Sequence, residues 1–125
     1  MNKQFSDVAA ALSLYFDGLY HSKTELLRTM FHREAIYVCA DKEPLIYRTM
    51  ADYFAIVDKR PSPASRNEAR RDRILSIEFA GPNTALARVN CAIGDSYFTD
   101  LLSLIHVDGR WQIIAKVFHG APLAA

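Results

Sequence analysis

A chain of 125 residues, half of them hydrophobic and 23% charged, is long enough for one hydrophobic core and too short for two. Fifteen Lys and Arg against 14 Asp and Glu leave a formal charge of +1, no broad field to hold a nucleic-acid backbone or an anionic membrane. Two cysteines, Cys39 and Cys91, are too few for a disulfide framework and stand at no zinc-ligand spacing, so they read as reduced, buried residues of a cytoplasmic protein.

No apolar run approaches the roughly 18 residues of a membrane span, and Asp7 and Asp17 interrupt the one N-terminal stretch that imitates a signal peptide. Over residues 5–20, Phe5, Val8, Leu12, Tyr15, Phe16 and Leu19 recur at helical spacing and predict an amphipathic helix. Ser22 with Glu25 reads as a capping box, so a short second helix is expected from Lys23 with Leu26, Leu27, Met30 and Phe31 on it. Residues 35–40 and 45–48 read as a small hairpin around Asp41, Lys42, Glu43 and Pro44. Thr49, with Asp52 three positions on, opens a third helix through Tyr53, Phe54, Ile56 and Val57, which Pro61 and Pro63 end. Residues 62–72 mix Arg66, Arg70 and Arg71 with Glu68 and Asp72 and read as a solvated connector rather than an anion-binding patch.

Strands alone follow, over residues 74–79, 85–93, 97–107 and 110–119. Gly81-Pro82-Asn83, Gly94-Asp95 and Asp108-Gly109 turn the chain between them, the last two as two-residue hairpin turns. Helices first and an antiparallel meander last give an α+β domain with the helices on one face of a strongly curved sheet. The turn at Gly94-Asp95 pairs Cys91 with Phe98, Val89 with Asp100 and Ala87 with Leu102; that at Asp108-Gly109 pairs Leu104 with Ile113 and Leu102 with Ala115. The face toward the helices then carries Ala85, Ala87, Val89, Cys91, Phe98, Asp100, Leu102 and Leu104, continued by Trp111, Ile113, Ala115, Val117 and His119. Arg88, Thr99, Leu101, Gln112, Ile114 and Lys116 point the other way, and Leu101 and Ile114 suit a homodimer contact through that outer face.

A carboxylate on an apolar face is costly unless it is hydrogen-bonded, paired or used, which singles out Asp100. His119 falls diagonally near it, and the catalytic expectation is a pair in which Asp100 orients the imidazole for proton transfer to or from a bound small molecule. The bland alternative is a structural pair closing the mouth of the fold. Neither cysteine has a base placed beside it, no metal-binding word and no Gly-rich phosphate loop occurs, and no cofactor is expected.

Tyr15-Phe16-Asp17-Gly18-Leu19-Tyr20, Phe31-His32-Arg33-Glu34-Ala35, Phe98-Thr99-Asp100-Leu101-Leu102-Ser103-Leu104 and the run from Asp108 to Phe118 occur in this order over nearly the whole chain. In them the sequence resembles the NTF2-like superfamily, in particular the small bacterial group of lumazine-binding and SnoaL-like proteins. The resemblance implies one NTF2-like cone: three helices on a curved, mixed, mainly antiparallel sheet, with an internal pocket and commonly a homodimer through the outer sheet face. It implies no single activity, because the scaffold hosts several. Ketosteroid-isomerising relatives carry a carboxylate base on the first strand, where this chain reads Tyr37-Val38-Cys39-Ala40; Asp100 and Tyr15 remain as an acid or hydrogen-bonding pair.

The ligand pocket is expected to be lined by Tyr15, Phe31, Tyr37, Cys39, Phe54, Phe98, Leu102 and Trp111. Two functions stand open: a pocket protein for an apolar, ring-sized molecule, with or without proton transfer, or a non-catalytic dimeric accessory domain whose cone is filled by its own side chains.

Overall fold

A computed structural model describes residues 3–123. Its elements are α1 (Lys3–Tyr20), α2 (Thr24–Met30), β1 (Phe31–Cys39), β2 (Ile46–Thr49), α3 (Met50–Lys59), β3 (Arg73–Phe79), β4 (Thr84–Ile93), β5 (Ser96–Val107) and β6 (Arg110–Pro122), with a single 3-10 turn at Ala64–Arg66. The six strands form one sheet in the order β2-β1-β6-β5-β4-β3, antiparallel throughout except where β1 runs parallel to β6. The helices cover one face of it, and Val8, Leu12, Leu27, Val57, Ala87, Val89 and Leu102 are wholly buried between the layers.

The chain makes its first reversal differently from the sequence expectation. Ser22 adopts φ +50° and forms no side-chain cap for α2. Its amide reaches the Leu19 carbonyl while that of Lys23 reaches Gly18, so it closes the C-terminus of α1 in a Schellman motif, with serine where glycine is usual. The third helix starts as expected, its Thr49 hydroxyl accepting from the Asp52 amide at 3.2 Å. The connector after α3 is tied down: Arg70 pairs with Asp17 and Asp72, Tyr20 Oη donates to the Glu68 carbonyl, and Glu68 Oε1 accepts from the Gly94 amide at 2.9 Å.

The two hairpin turns set register as their residue types dictate. Asp108 and Gly109 both take positive φ, as a type I′ turn requires, and Val107 faces Arg110. Across the Gly94 turn the pairs Ile93 with Ser96, Cys91 with Phe98, Val89 with Asp100 and Ala87 with Leu102 form as read from the sequence. The β5–β6 ladder begins as expected with Leu104 opposite Ile113. It then admits one extra residue, Ile114, so that Ser103 meets Ala115, Leu102 meets Lys116 and Asp100 meets Phe118. Because side chains alternate, this bulge turns every later residue of β6 to the opposite face. Lys116 goes inward, 5% exposed, and Val117 goes outward, 43% exposed. The expected pairing of Leu102 with Ala115, and with it the inward placement of Ala115, Val117 and His119, is thereby corrected.

Candidate functional site

Asp100 is completely buried on the inner face of β5. Its Oδ2 accepts a 2.7 Å hydrogen bond from Tyr15 Oη on α1 and lies 3.8 Å from Lys116 Nζ on β6, while Oδ1 is buried without a partner among the described residues. The Lys116 ammonium stands over four aromatic rings, those of Tyr15, Tyr37, Tyr53 and Phe118, at 5.2–5.4 Å from their centroids. That is cation–π range on every side, with a carboxylate beneath. Tyr37 stacks on Tyr53 with centroids 4.4 Å apart, which fixes two walls of the cage.

The electrostatics follow from this enclosure. Burial works to lower the Lys116 pKa, but the Asp100 carboxylate, with the neighbouring phenols behind it, outweighs burial and raises it, so the side chain is an ammonium at neutral pH. Burial, then Asp100, raises the Tyr15 phenol well above its ordinary value and keeps it a donor. Burial, with Asp100 second, pushes the Cys91 thiol up to about 12, and burial also raises Cys39; neither is a thiolate nucleophile.

A cavity of about 20 Å³, room for a single water, opens onto this cage. It is lined by Lys116, Tyr37, Tyr53, Phe98, Phe118 and Cys91, with Ile93 and Arg60. Two of these residues carry buried hydrogen-bonding atoms with no partner among the described residues, Tyr53 Oη and Arg60 Nε. Buried polar groups are nearly always satisfied, so unpartnered ones beside a cavity mark it as a place for a polar atom from outside.

Of the residues expected at the site, Tyr15, Tyr37, Phe98 and Asp100 come together. His119 does not: it is exposed, with Nδ1 2.8 Å from Asp41 Oδ1. The Asp41 carboxylate also accepts from the Gly120 amide at 2.8 Å, and this amide first, His119 second, lowers its pKa to about 2. The expected Asp100–His119 pair is thus replaced by Asp100–Lys116. Leu102 is fully buried in the core, Trp111 packs on Phe79 and His106, and Cys39 ends β1 beside Asp41. Phe31 is the partition. Its ring meets those of Tyr15 and Tyr53 edge-on at 5.8 Å, and it lines, with Phe54, a separate wide pocket beyond.

Lys116, Tyr53, Phe118 and Arg60 were missed by sequence reasoning. The available signal is the apolar run Ile113-Ile114-Ala115, where the alternation of Trp111-Gln112-Ile113 fails. Among the described residues no three His, Cys, Asp or Glu side chains come together as a metal requires, and no helix is long and apolar enough to cross a membrane.

Comparison with known proteins gives a consistent fold. A family model described as "Putative lumazine-binding" matches residues 3–119. An NTF2-like protein of unknown function from Shewanella baltica OS155 superposes with a TM-score of 0.85 at 24% identity, over 96% of this chain and 95% of that one. A ketosteroid isomerase-like protein from Erwinia carotovora atroseptica superposes with a TM-score of 0.75 at 10% identity, over 98% of this chain and all of that one. Among curated proteins, aldolase FrzH of Cladobotryum sp is 24% identical over 124 residues, 97% of this chain and 94% of its own length.

Proposed function

The chain belongs to this lumazine-binding family of NTF2-like proteins, and on that premise we propose that it binds a planar, apolar, carbonyl-bearing ring in the cone, with the carbonyl oxygen directed to Lys116. The supporting observation is the small cavity whose lining combines four aromatic rings and a buried ammonium with two unpartnered polar atoms, Tyr53 Oη and Arg60 Nε. Rings complement rings, and an ammonium with a guanidinium N–H complements a carbonyl oxygen. A pteridinedione such as lumazine shares the planarity and the carbonyl groups, on a more polar ring. Entry requires Phe98 and Phe118, both half-buried, to swing outward.

The chemistry such a site favours is stabilisation of an enolate, whose oxygen would lie against the Lys116 ammonium; Asp100 lies behind Lys116, outside the cavity lining, and holds that ammonium charged. An enolate held this way is the nucleophile of an aldol addition, the reaction class in the name of the Cladobotryum relative. Because Asp100 holds Lys116 protonated, the lysine acts as a cation rather than as a Schiff-base amine.

Titration with lumazine and with a set of cyclic ketones, followed by the aromatic NMR signals of Tyr37 and Phe118, tests the binding. Saturable shifts are expected, lost in Tyr53→Phe with Arg60→Gln. Borohydride reduction in the presence of a bound ketone is expected to leave Lys116 unmodified; a reduced adduct there would overturn the cationic role. If no ligand moves these signals, the other function stands, a non-catalytic accessory domain with a filled cone, which the 20 Å³ volume favours.

We also propose a homodimer through the outer sheet face. Leu86, Leu101 and Val117 are each about two-fifths exposed there, and Val117, paired with Leu101 across the ladder, takes the place the sequence had given to Ile114. Leu101→Asp is expected to sediment as a monomer, and a monomeric parent protein would refute the assembly.

A further inference from the structure

At the start of β6, whose Arg110 stands about 20 Å along the strand from Lys116, lies a pocket of about 560 Å³, within the size range of small-molecule sites. Arg28 from the end of α2, Arg33 from β1 and Arg110 from β6 line it, against a single carboxylate, Asp108. Among the described residues none of the three guanidiniums forms an ion pair.

Two of the three are nevertheless held in place. Arg28 lies over the Phe54 ring at 4.9 Å, and Arg110 Nη1 donates to the Thr29 carbonyl. The Glu34 amide donates to His32 Nδ1 at 3.0 Å, so the neutral imidazole carries its proton on Nε2 and adds a donor to the same lining. Beneath these groups Phe31 and Phe54, both buried, supply an apolar floor. Unpaired, pre-positioned guanidiniums are suited to bidentate recognition of phosphate or carboxylate, and an aromatic floor is suited to a ring.

We propose that this pocket is a second small-molecule site, taking an anion carried on an apolar ring, with the phosphate or carboxylate among Arg28, Arg33 and Arg110 and the ring on Phe31 and Phe54. It stands on residues other than those of the cone cavity.

Calorimetric titration with 1-naphthyl phosphate, 1-naphthoate and 1-naphthol tests it. One saturable site is expected for the anions, with the tighter of the two identifying the favoured headgroup, and naphthol is expected to bind at least about tenfold more weakly. Arg28→Gln and Arg33→Gln are each expected to weaken the anion about five- to tenfold, as is a rise to 0.5 M salt. Arg66→Gln, a remote exposed arginine, is expected to leave it unchanged. Absence of saturable binding, equal affinity for naphthol, or an equal loss in Arg66→Gln would each overturn the assignment.

Discussion

The middle and the start of β6 treat positive charge in opposite ways. At Lys116 the cation is walled by four rings and matched to one carboxylate, and the space around it is nearly gone. At Arg110 the guanidinium lines a wide pocket with two others and, among the described residues, has no acidic partner. A charge that has lost its water must be compensated inside the protein, so it becomes part of what holds the fold. One that keeps its water contributes little to stability and stays available to a ligand.

The largest expected effect is therefore at Lys116. Lys116→Met leaves Asp100 buried opposite an apolar side chain, and urea unfolding is expected to show a loss of about 3–5 kcal/mol. Combining it with Asp100→Asn is expected to restore part of that loss, since the second change removes the stranded charge. Arg33→Gln in the arginine pocket is expected to stay within about 0.5 kcal/mol of the parent. Equal costs at the two places would erase the distinction.

Alkaline titration sharpens it. Lys116 and Tyr15 both hold their protons above the ordinary values near 10.5 and 10.0. Between those values and the higher folded ones the native state binds more protons than the unfolded chain, so this contribution is complete below about pH 10 and is lost as the pH rises through the folded values. Melting temperatures are expected to fall more steeply above pH 10 in the parent than in Lys116→Met or Tyr15→Phe.

The same strand shows what a sequence can reveal. Positive-φ turn residues are local chemistry, so the hairpins at Gly94 and Asp108-Gly109, the ladder from Val89–Asp100 to Ala87–Leu102 and the burial of Asp100 were all legible. So was Tyr15, because helical spacing put it on the same side as that carboxylate. The partner of Asp100 was not. A bulge depends on how a curved sheet closes, and the apolar run Ile113-Ile114-Ala115 hinted at it without fixing where the extra residue falls; a one-residue shift exchanged His119 for Lys116. Ser22 failed for a related reason. Serine serves as an N-cap or, less often, as a left-handed C-terminal residue, and the packing of Gly18 against Leu27, where a Cβ would come within 2.7 Å of Leu27 Cδ2, fixes how α1 must end.

A smaller effect is expected at Gly120, where the cone end can be tightened without touching the cation. A Cβ there would stand 2.9 Å from Cε1 of Phe98, a ring that lines the small cavity. Gly120→Ala is expected to cost about 1–3 kcal/mol by displacing that ring, and to alter ring-ligand binding in the cone while leaving naphthyl phosphate binding at the arginine pocket unchanged. A parallel change at both sites would mean that the two regions are coupled through the sheet.

The smallest effect is expected at the clasp that holds Gly120. Asp41 takes the Gly120 amide and His119 on its two oxygens, and its pKa falls from an ordinary 3.8 to about 2. The native carboxylate thus binds fewer protons than the unfolded one between these values, so its contribution is present above about pH 4 and is lost as the pH falls through 2. Asp41→Asn is expected to flatten the acid limb of a melting-temperature profile there and to leave the limb above pH 10 as it was. The clasp is open to solvent and the Lys116 cage is not; the two limbs belong to different groups at one end of the cone, and a variant at Asp41 that moved the alkaline limb would show that the loop after β1, rather than the rings, keeps water from the buried cation.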